Sequence, residues 1–241
     1  MEPPLSELSL LRSRTLAEAV QEEVLRLIRE GALRTGEKLG EVEFAARLGV
    51  SRATIREAFR ALGESGLLTL EKNRGAVVRV ISPAEADELY EVRAGLDAVV
   101  GARLAPQITA EQLETLEALL ARLAECASSC DVAAYYPLNV AFHDSIVAMA
   151  GNATLLRLYR RVINLMHLLR RTSFAGAESF SASTAEHRAI VDALATRDAE
   201  AAAEAMRRHV RAGHARMQNG RATAAGAGDA EAGALVIDVG V

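Results

Sequence analysis

Two sets of side chains in this sequence are of types that could do chemistry. Arg52, Arg56 and Arg60 stand four apart, so on a helix all three guanidinium groups leave one face. Such a row suits phosphates, or guanine, whose O6 and N7 accept a bidentate arginine. An ordinary solvated basic face has the same pattern. The second set is the histidines, His143, His167, His187, His209 and His214, all beyond residue 140. Imidazoles ligate transition metals. Asn139 and His143 are i, i+4 and emerge from one helix face. His214, five residues after His209, is turned about 140° away from it. Spacing alone does not bring residues of three helices to one point, and scattered core or surface histidines explain the local pattern as well. Cys126 and Cys130 have no histidine at a useful spacing and read as buried packing residues rather than ligands.

The elements that must carry the arginines are legible around them. Leu16–Arg29 places apolar residues at Leu16, Val20, Val24, Leu25 and Ile28, the spacing of an amphipathic helix. Gly31 and Gly36 break it. Glu41–Leu48 reads as a second helix packed through Phe44, Ala45 and Leu48. Gly49-Val50 turns the chain, and Ser51 is a good N-cap for a third helix running to about Gly63. There Ile55, Ala58, Phe59 and Leu62 form a core-facing stripe, with the arginines on the adjacent face. Leu67–Glu71 and Ala76–Ile81 read as a hairpin whose turn, Lys72-Asn73-Arg74-Gly75, carries two cations. Three helices and a cationic hairpin within about eighty residues make a winged helix-turn-helix. In that fold Arg52 and Arg56 would reach base edges, while Ser51 and Thr54 would reach phosphates with the helix amides. Arg74 would enter an adjacent groove or touch a phosphate.

Ser82-Pro83 opens a stretch of different character and marks an expected hinge. Helical periodicity runs through six segments near 84–104, 109–125, 131–150, 153–172, 181–196 and 198–218. The composition agrees: half the residues are hydrophobic, aromatics make up 4% and Trp is absent, which favours packed helices over a β-sandwich. The fold expected is mainly α, an N-terminal winged helix-turn-helix over 1–81 followed by an antiparallel all-helical bundle over 82–218. Residues 219–241 are low in complexity and read as a disordered tail. Net charge is −4, yet residues 47–79 hold seven basic against three acidic side chains, the local patch a phosphate-facing surface needs. No run approaches the roughly 20 apolar residues of a membrane span. With no secretory leader pattern and two thiols, the expected location is the cytoplasm.

The longer phrases go further. Leu16-Ala17-Glu18, Gly36-Glu37-Lys38-Leu39, Glu41 through Ala58 with its Gly-Val-Ser-Arg and Arg-Glu-Ala core, and Asn73-Arg74-Gly75 together resemble the GntR family of bacterial regulators over residues 15–80. The resemblance implies that Ser51, Arg52, Thr54 and Arg56 contact DNA and that Gly75 is the wing-tip glycine. Some relatives carry a further contacting arginine in the second helix, where this chain has Val42. Asn139-Val140-Ala141-Phe142-His143, Gly151-Asn152, Glu186 through Ile190, Arg197-Asp198-Ala199 and Met206 to His209 resemble the FCD effector domain of the FadR-like subfamily over 84–215. Arg93 and Asp97 match its first-helix pattern, with Asp for the usual Glu. Metal-containing members bind a divalent cation through an Asp four before the first His and three histidines, which maps onto Asn139, His143, His187 and His209. Asn in place of Asp brings no charge and binds more weakly. Three imidazoles suit Zn²⁺ or Ni²⁺, with Mn²⁺ a third choice, and leave room for a carboxylate ligand.

The function implied is a homodimeric, ligand-responsive transcription regulator, a repressor by expectation. It would read a short pseudo-palindromic operator and respond to a small anionic metabolite held in the helical domain. Arg93 is set to pair either with that effector or with Asp97 at i+4, and Arg161 and Asn164 are candidate cavity-lining residues. Two alternatives stand beside this: a metal-free regulator responding to acyl-CoA or lipid, and a metal-dependent hydrolase built on the same histidines.

Overall fold

The stripe of Ile55, Ala58, Phe59 and Leu62 does what its 3.6-residue spacing requires: all four are buried, in helix α3, Arg52–Glu64. The computed structural model describes residues 6–71, 75–169 and 177–234. They divide into two units. One comprises Met1–Pro83 with Ile163–Arg170, the other Ala84–Val162 with Arg171–Val241.

In the first unit, α1 (Ser6–Glu30) and α2 (Glu41–Leu48) complete the three-helix set around α3. The buried face of α1 is Ala17, Val20, Val24, Leu27 and Ile28. It lies slightly round from the expected stripe: Leu16 is half exposed, because Ala17 and Leu27 hold the centre of that face. The Phe44 and Phe59 rings meet edge to face at 5.6 Å, tying α2 to α3. The hairpin is β2 (Leu68–Glu71) and β3 (Gly75–Val78), shorter at its far end than the expected Ala76–Ile81. A two-residue strand, β1 (Lys38–Leu39), adds to the other edge of β3, giving the antiparallel order β1-β3-β2. Gly75 has φ +90, and a Cβ there would overlap the Leu39 carbonyl oxygen. Only glycine permits both the turn and the close strand approach. Lys72, Asn73 and Arg74 lie outside the described residues.

The second unit is helical. Its elements are α4 (Pro83–Leu104), a 3-10 turn at Ala105–Gln107, α5 (Ala110–Ser128), α6 (Val132–Met149), α7 (Ala153–Met166), α8 (Ala177–Ala195) and α9 (Ala199–Ala234). Each of the six segments read from periodicity holds a helix, though α7 ends at Met166, short of the expected 172, with 170–172 outside the described residues, and α9 runs past 218. Their caps follow residue chemistry: Thr109 and Gln112 form a reciprocal capping box on α5, and the Asp131 carboxylate accepts from Ala134 N at the start of α6. The carbonyl of Ala150, the C-cap of α6, accepts from Arg103 Nε at 2.7 Å and Gln107 Nε2 at 3.3 Å. Helices α4 and α9 pack backbone to backbone at Gly101, where a Cβ would sit 2.7 Å from the Ala202 carbonyl oxygen. Cys126 is half-buried and Cys130 is exposed, so Cys130 is not the core residue expected; it closes α5 with φ +54 instead. Helix α9 continues to Ala234, where a disordered tail is expected from Asn219; the many alanines of that stretch favour helix, against its interspersed glycines. Residues 235–241 lie outside the described residues. Among the described residues no helix is long and apolar enough to cross a membrane.

Candidate functional site

On the first unit, the start of α3 sets the presentation of the basic side chains. The Ser51 Oγ accepts from the Thr54 backbone N–H at 3.1 Å and shares a 2.8 Å hydrogen bond with Thr54 Oγ1. This closes an orphan amide of the first turn. It also places Ser51 on the surface and Thr54 largely within the domain. Arg52 is exposed and makes no ion pair among the described residues. Arg56 is exposed too, but its fork is engaged: Nη2 donates to Glu41 Oε2 at 3.0 Å and Nε lies 3.3 Å from both carboxylate oxygens. Arg60 stands 4.0 Å from Glu64. Val42, on α2, is 61% exposed. Gly75 sits at the start of β3, and Arg74, the expected wing contact, is outside the described residues. The Glu41–Arg56 pair is not visible in the spacing, since the two residues are fifteen apart on different helices.

The second unit brings three histidines together. His143 on α6, His187 on α8 and His209 on α9 are all buried. His143 Nε2 lies 3.2 Å from His187 Nε2 and 3.1 Å from His209 Nε2. Two nitrogens bound at ~2.0–2.1 Å to one tetrahedral Zn²⁺ are about 3.3 Å apart, so the donor set has the spacing of a shared cation. Its protonation agrees. Burial, then the neighbouring imidazole and Arg93 charges, drive His143 and His187 well below the ordinary histidine value; His209 is lowered too, with burial outweighing Glu186. Neutral rings keep a lone pair for a metal.

The hydrogen bonds around the rings point the same way. His209 Nδ1 donates to Glu186 Oε2 at 2.9 Å, which puts the proton on Nδ1 and leaves Nε2 with its lone pair. Arg216 in turn donates to both Glu186 oxygens. Burial raises the Glu186 carboxyl, but hydrogen bonds from Arg216 and His209 overcome it and hold it at about 2. His143 Nε2 then faces two ring nitrogens, and no assignment of neutral tautomers gives both contacts a linear hydrogen bond. His143 Nδ1 and His187 Nδ1 are buried without partners, and so is Asn139 Oδ1, one turn before His143 on α6. Glu186 and Arg216 are polar neighbours of the histidine group that sequence reasoning missed. Their signals were adjacency to His187 and the i, i+7 relation of Arg216 to His209, which share a face of α9.

Arg93 lies 3.5 Å through Nε from Asp97 Oδ2, and Asp97 is fully buried. The i+4 pair is therefore formed. Burial pushes Asp97 up to about 6 despite the Arg93 charge, and both of its oxygens, like Tyr159 Oη, lack a hydrogen-bond partner. Arg161 is exposed on α7. Asn164 belongs to the 163–170 segment that groups with the first unit, so Arg161 and Asn164 fall in different units. His214 points away from the three-histidine group, stacking on Tyr90 at 4.6 Å with Nε2 2.6 Å from Asp87 Oδ1.

Comparison with known proteins matches both halves. The family model for bacterial regulatory proteins of the gntR family covers residues 16–78, and that for the FCD domain covers 88–212. The probable D-xylose utilization operon transcriptional repressor of Paenarthrobacter nicotinovorans is 33% identical over 82% of this chain and 87% of its own length. The HTH-type transcriptional repressor RspR of Escherichia coli is 27% identical over 79% of this chain and 86% of its own. Among solved structures, the transcriptional regulator GntR from Rhodococcus sp. RHA1 matches with a TM-score of 0.72 at 26% identity, covering 84% of this chain and 97% of that one. Escherichia coli McbR/YncC, at 19% identity, shares the fold with a TM-score of 0.77 over 85% of this chain and 97% of its own. The gntR family is one of regulatory proteins and both curated relatives carry the names of repressors, which removes the hydrolase alternative. The chain belongs to the GntR family of bacterial transcriptional regulators, with a gntR-type DNA-binding half and an FCD domain, and is not an enzyme.

Proposed function

We propose that the protein is a homodimeric repressor whose helical unit holds a divalent metal and, against it, a small organic acid. The observation that carries this reading is the convergence of three buried, neutral imidazoles on one point, with contacts that their own protons cannot satisfy. His143, His187 and His209 would hold the ion, and Asn139 Oδ1, an acceptor without a partner, is the candidate fourth ligand. The chemistry fits Zn²⁺ or Ni²⁺, with Mn²⁺ the harder alternative. Glu186 fixes the ring of His209, and Arg216 fixes Glu186. With Asn139 uncharged, the bound ion keeps its full double charge and would attract a carboxylate. Arg93, turned toward Asp97 in this state, is the candidate partner for the remainder of that anion; Arg161 and Asn164 are weaker candidates. In the other unit, Arg52 and Arg56 would read bases while Ser51, Thr54, Arg74 and the wing at Gly75 approach the phosphates.

Coupling requires that the effector prefer one arrangement of the regulator and change its DNA affinity by the same free energy. The test has two parts. Protein purified without chelator or a nickel column is assayed for metal by elemental analysis, and small molecules released on denaturation are examined by mass spectrometry. One equivalent of metal per chain together with a co-purifying carboxylate supports the reading. Metal-free protein carrying an acyl-CoA or a lipid replaces it with the metal-free alternative. For the DNA half, Arg52→Ala should weaken specific operator binding by about 1–3 kcal/mol and non-specific binding far less; equal losses on both count against base reading.

A further inference from the structure

Arg56 sits on the recognition helix, yet its guanidinium is not free. The Glu41 carboxylate, at the first position of α2, grips one edge of it: Nη2 to Oε2 at 3.0 Å, and Nε to each oxygen at 3.3 Å. Glu41 is itself the more enclosed partner, its side chain 21% exposed against 65% for Arg56. The carboxylate is thus the anchored member and the arginine the held one.

A guanidinium offers two bidentate edges, Nε with Nη2 and Nη1 with Nη2. Glu41 occupies the first. The second, at the tip of the side chain, remains for an acceptor pair such as O6 and N7 of guanine. Arg52 has no such partner among the described residues, so the two arginines differ in preparation although both stand on the same helix face.

We propose that Glu41 is a positioning residue for base reading, with two effects on Arg56. It fixes the side chain so that only the terminal edge is presented, which reduces the rotamer freedom lost on binding. It also sets a negative charge beside the DNA-facing surface, which repels phosphate and denies Arg56 a contact with the backbone. Glu41 thereby contributes discrimination between sequences at the expense of general affinity. The inference rests on Arg56 as a base-reading residue.

The experiment selects full-length protein against a random-sequence duplex library and compares base preference at each position for wild type, Glu41→Gln, Arg56→Ala and the double variant. Affinities for the selected duplex and for a scrambled duplex are then measured at two salt concentrations. Glu41→Gln should reduce preference about five- to tenfold at the base pair whose preference Arg56→Ala erases, and leave affinity for the scrambled duplex equal or higher. In the Arg56→Ala background the Glu41→Gln change should have no further effect. Glu41→Asp should restore part of the preference. Uniform loss at all positions, or an undiminished effect in the Arg56→Ala background, overturns the proposal in favour of a purely structural role. Tighter and equally selective operator binding by Glu41→Gln overturns it in favour of Glu41 as a sequestering group. If Arg56→Ala alone leaves base preference unchanged, the reading of Arg56 itself fails and takes the proposal with it.

Discussion

The two units treat their polar side chains in opposite ways. In the DNA-binding unit, the polar side chains at the start of α3 are satisfied by a neighbour: Ser51 with Thr54, Arg56 with Glu41. In the helical unit, the polar groups at issue are buried, and several lack a hydrogen-bond partner: both Asp97 oxygens (although Asp97 is ion-paired with Arg93), Asn139 Oδ1, Tyr159 Oη and two imidazole Nδ1 atoms. Unsatisfied buried polar atoms are costly and rare in folded proteins. An interface that exchanges water and counterions for phosphates needs no such deficit, because its ligand replaces solvent. Groups enclosed by helices have no solvent to satisfy them, so a donor or acceptor left unmet there is open to a ligand.

The comparison can be broken most sharply at the histidines. His143→Ala should abolish stoichiometric metal retention, measured by elemental analysis, while operator binding in the absence of effector stays close to wild type. Persistent metal would show that the imidazole cluster is only packing. Glu186→Gln tests the outer layer. It keeps size but removes the carboxylate that holds His209, and metal affinity in a competitive chelator titration should fall about 10- to 100-fold.

Asp97→Asn sharpens the contrast through pH. The folded state raises the Asp97 carboxyl to about 6 from its ordinary 3.8, so folding favours the protonated form. Stability from this group is therefore complete below about pH 4 and lost as pH rises through 6. The asparagine variant does not titrate. Measured by denaturant melts, the difference between wild type and variant should shift in the variant's favour by up to about 3 kcal/mol between pH 4 and pH 6 and stay flat above. A flat difference across that window would mean that Arg93 fully compensates the charge. The smallest effect belongs to the exposed unit. Ser51→Ala loses the cap on α3, and thermal or denaturant unfolding should show about 1 kcal/mol of destabilisation. A null result there would mean that Thr54 is held by packing alone.

How far the sequence could be read follows from the range of each interaction. The face of α3 and its cap were legible because Ile55, Ala58, Phe59, Leu62 and Ser51 act within one helix. The i+4 pair of Arg93 and Asp97 was legible for the same reason. Strand β1 was not, since Lys38 and Leu39 are too few to show a period of two and are strands only because β3 lies beside them. The convergence of the histidines came from family resemblance; nothing in the spacing of His143, His187 and His209 dictates that α6, α8 and α9 meet there. Glu41 with Arg56, and Glu186 with Arg216, are tertiary pairs that single-helix patterns cannot reveal.

The separation of the three histidines along the chain has a further consequence. Nitrogens 44 and 66 residues apart meet at one point, so an ion held by all three would be a cross-link. Closing a loop of that length withdraws about 4 kcal/mol of freedom from the unfolded chain in the simple entropic picture. Because the unfolded chain has no assembled site, the folded state would gain further as free metal rises above its dissociation constant. Metal supply would then govern how long the regulator survives proteolysis in the cell, and so how much of it there is, quite apart from whether its effector is bound.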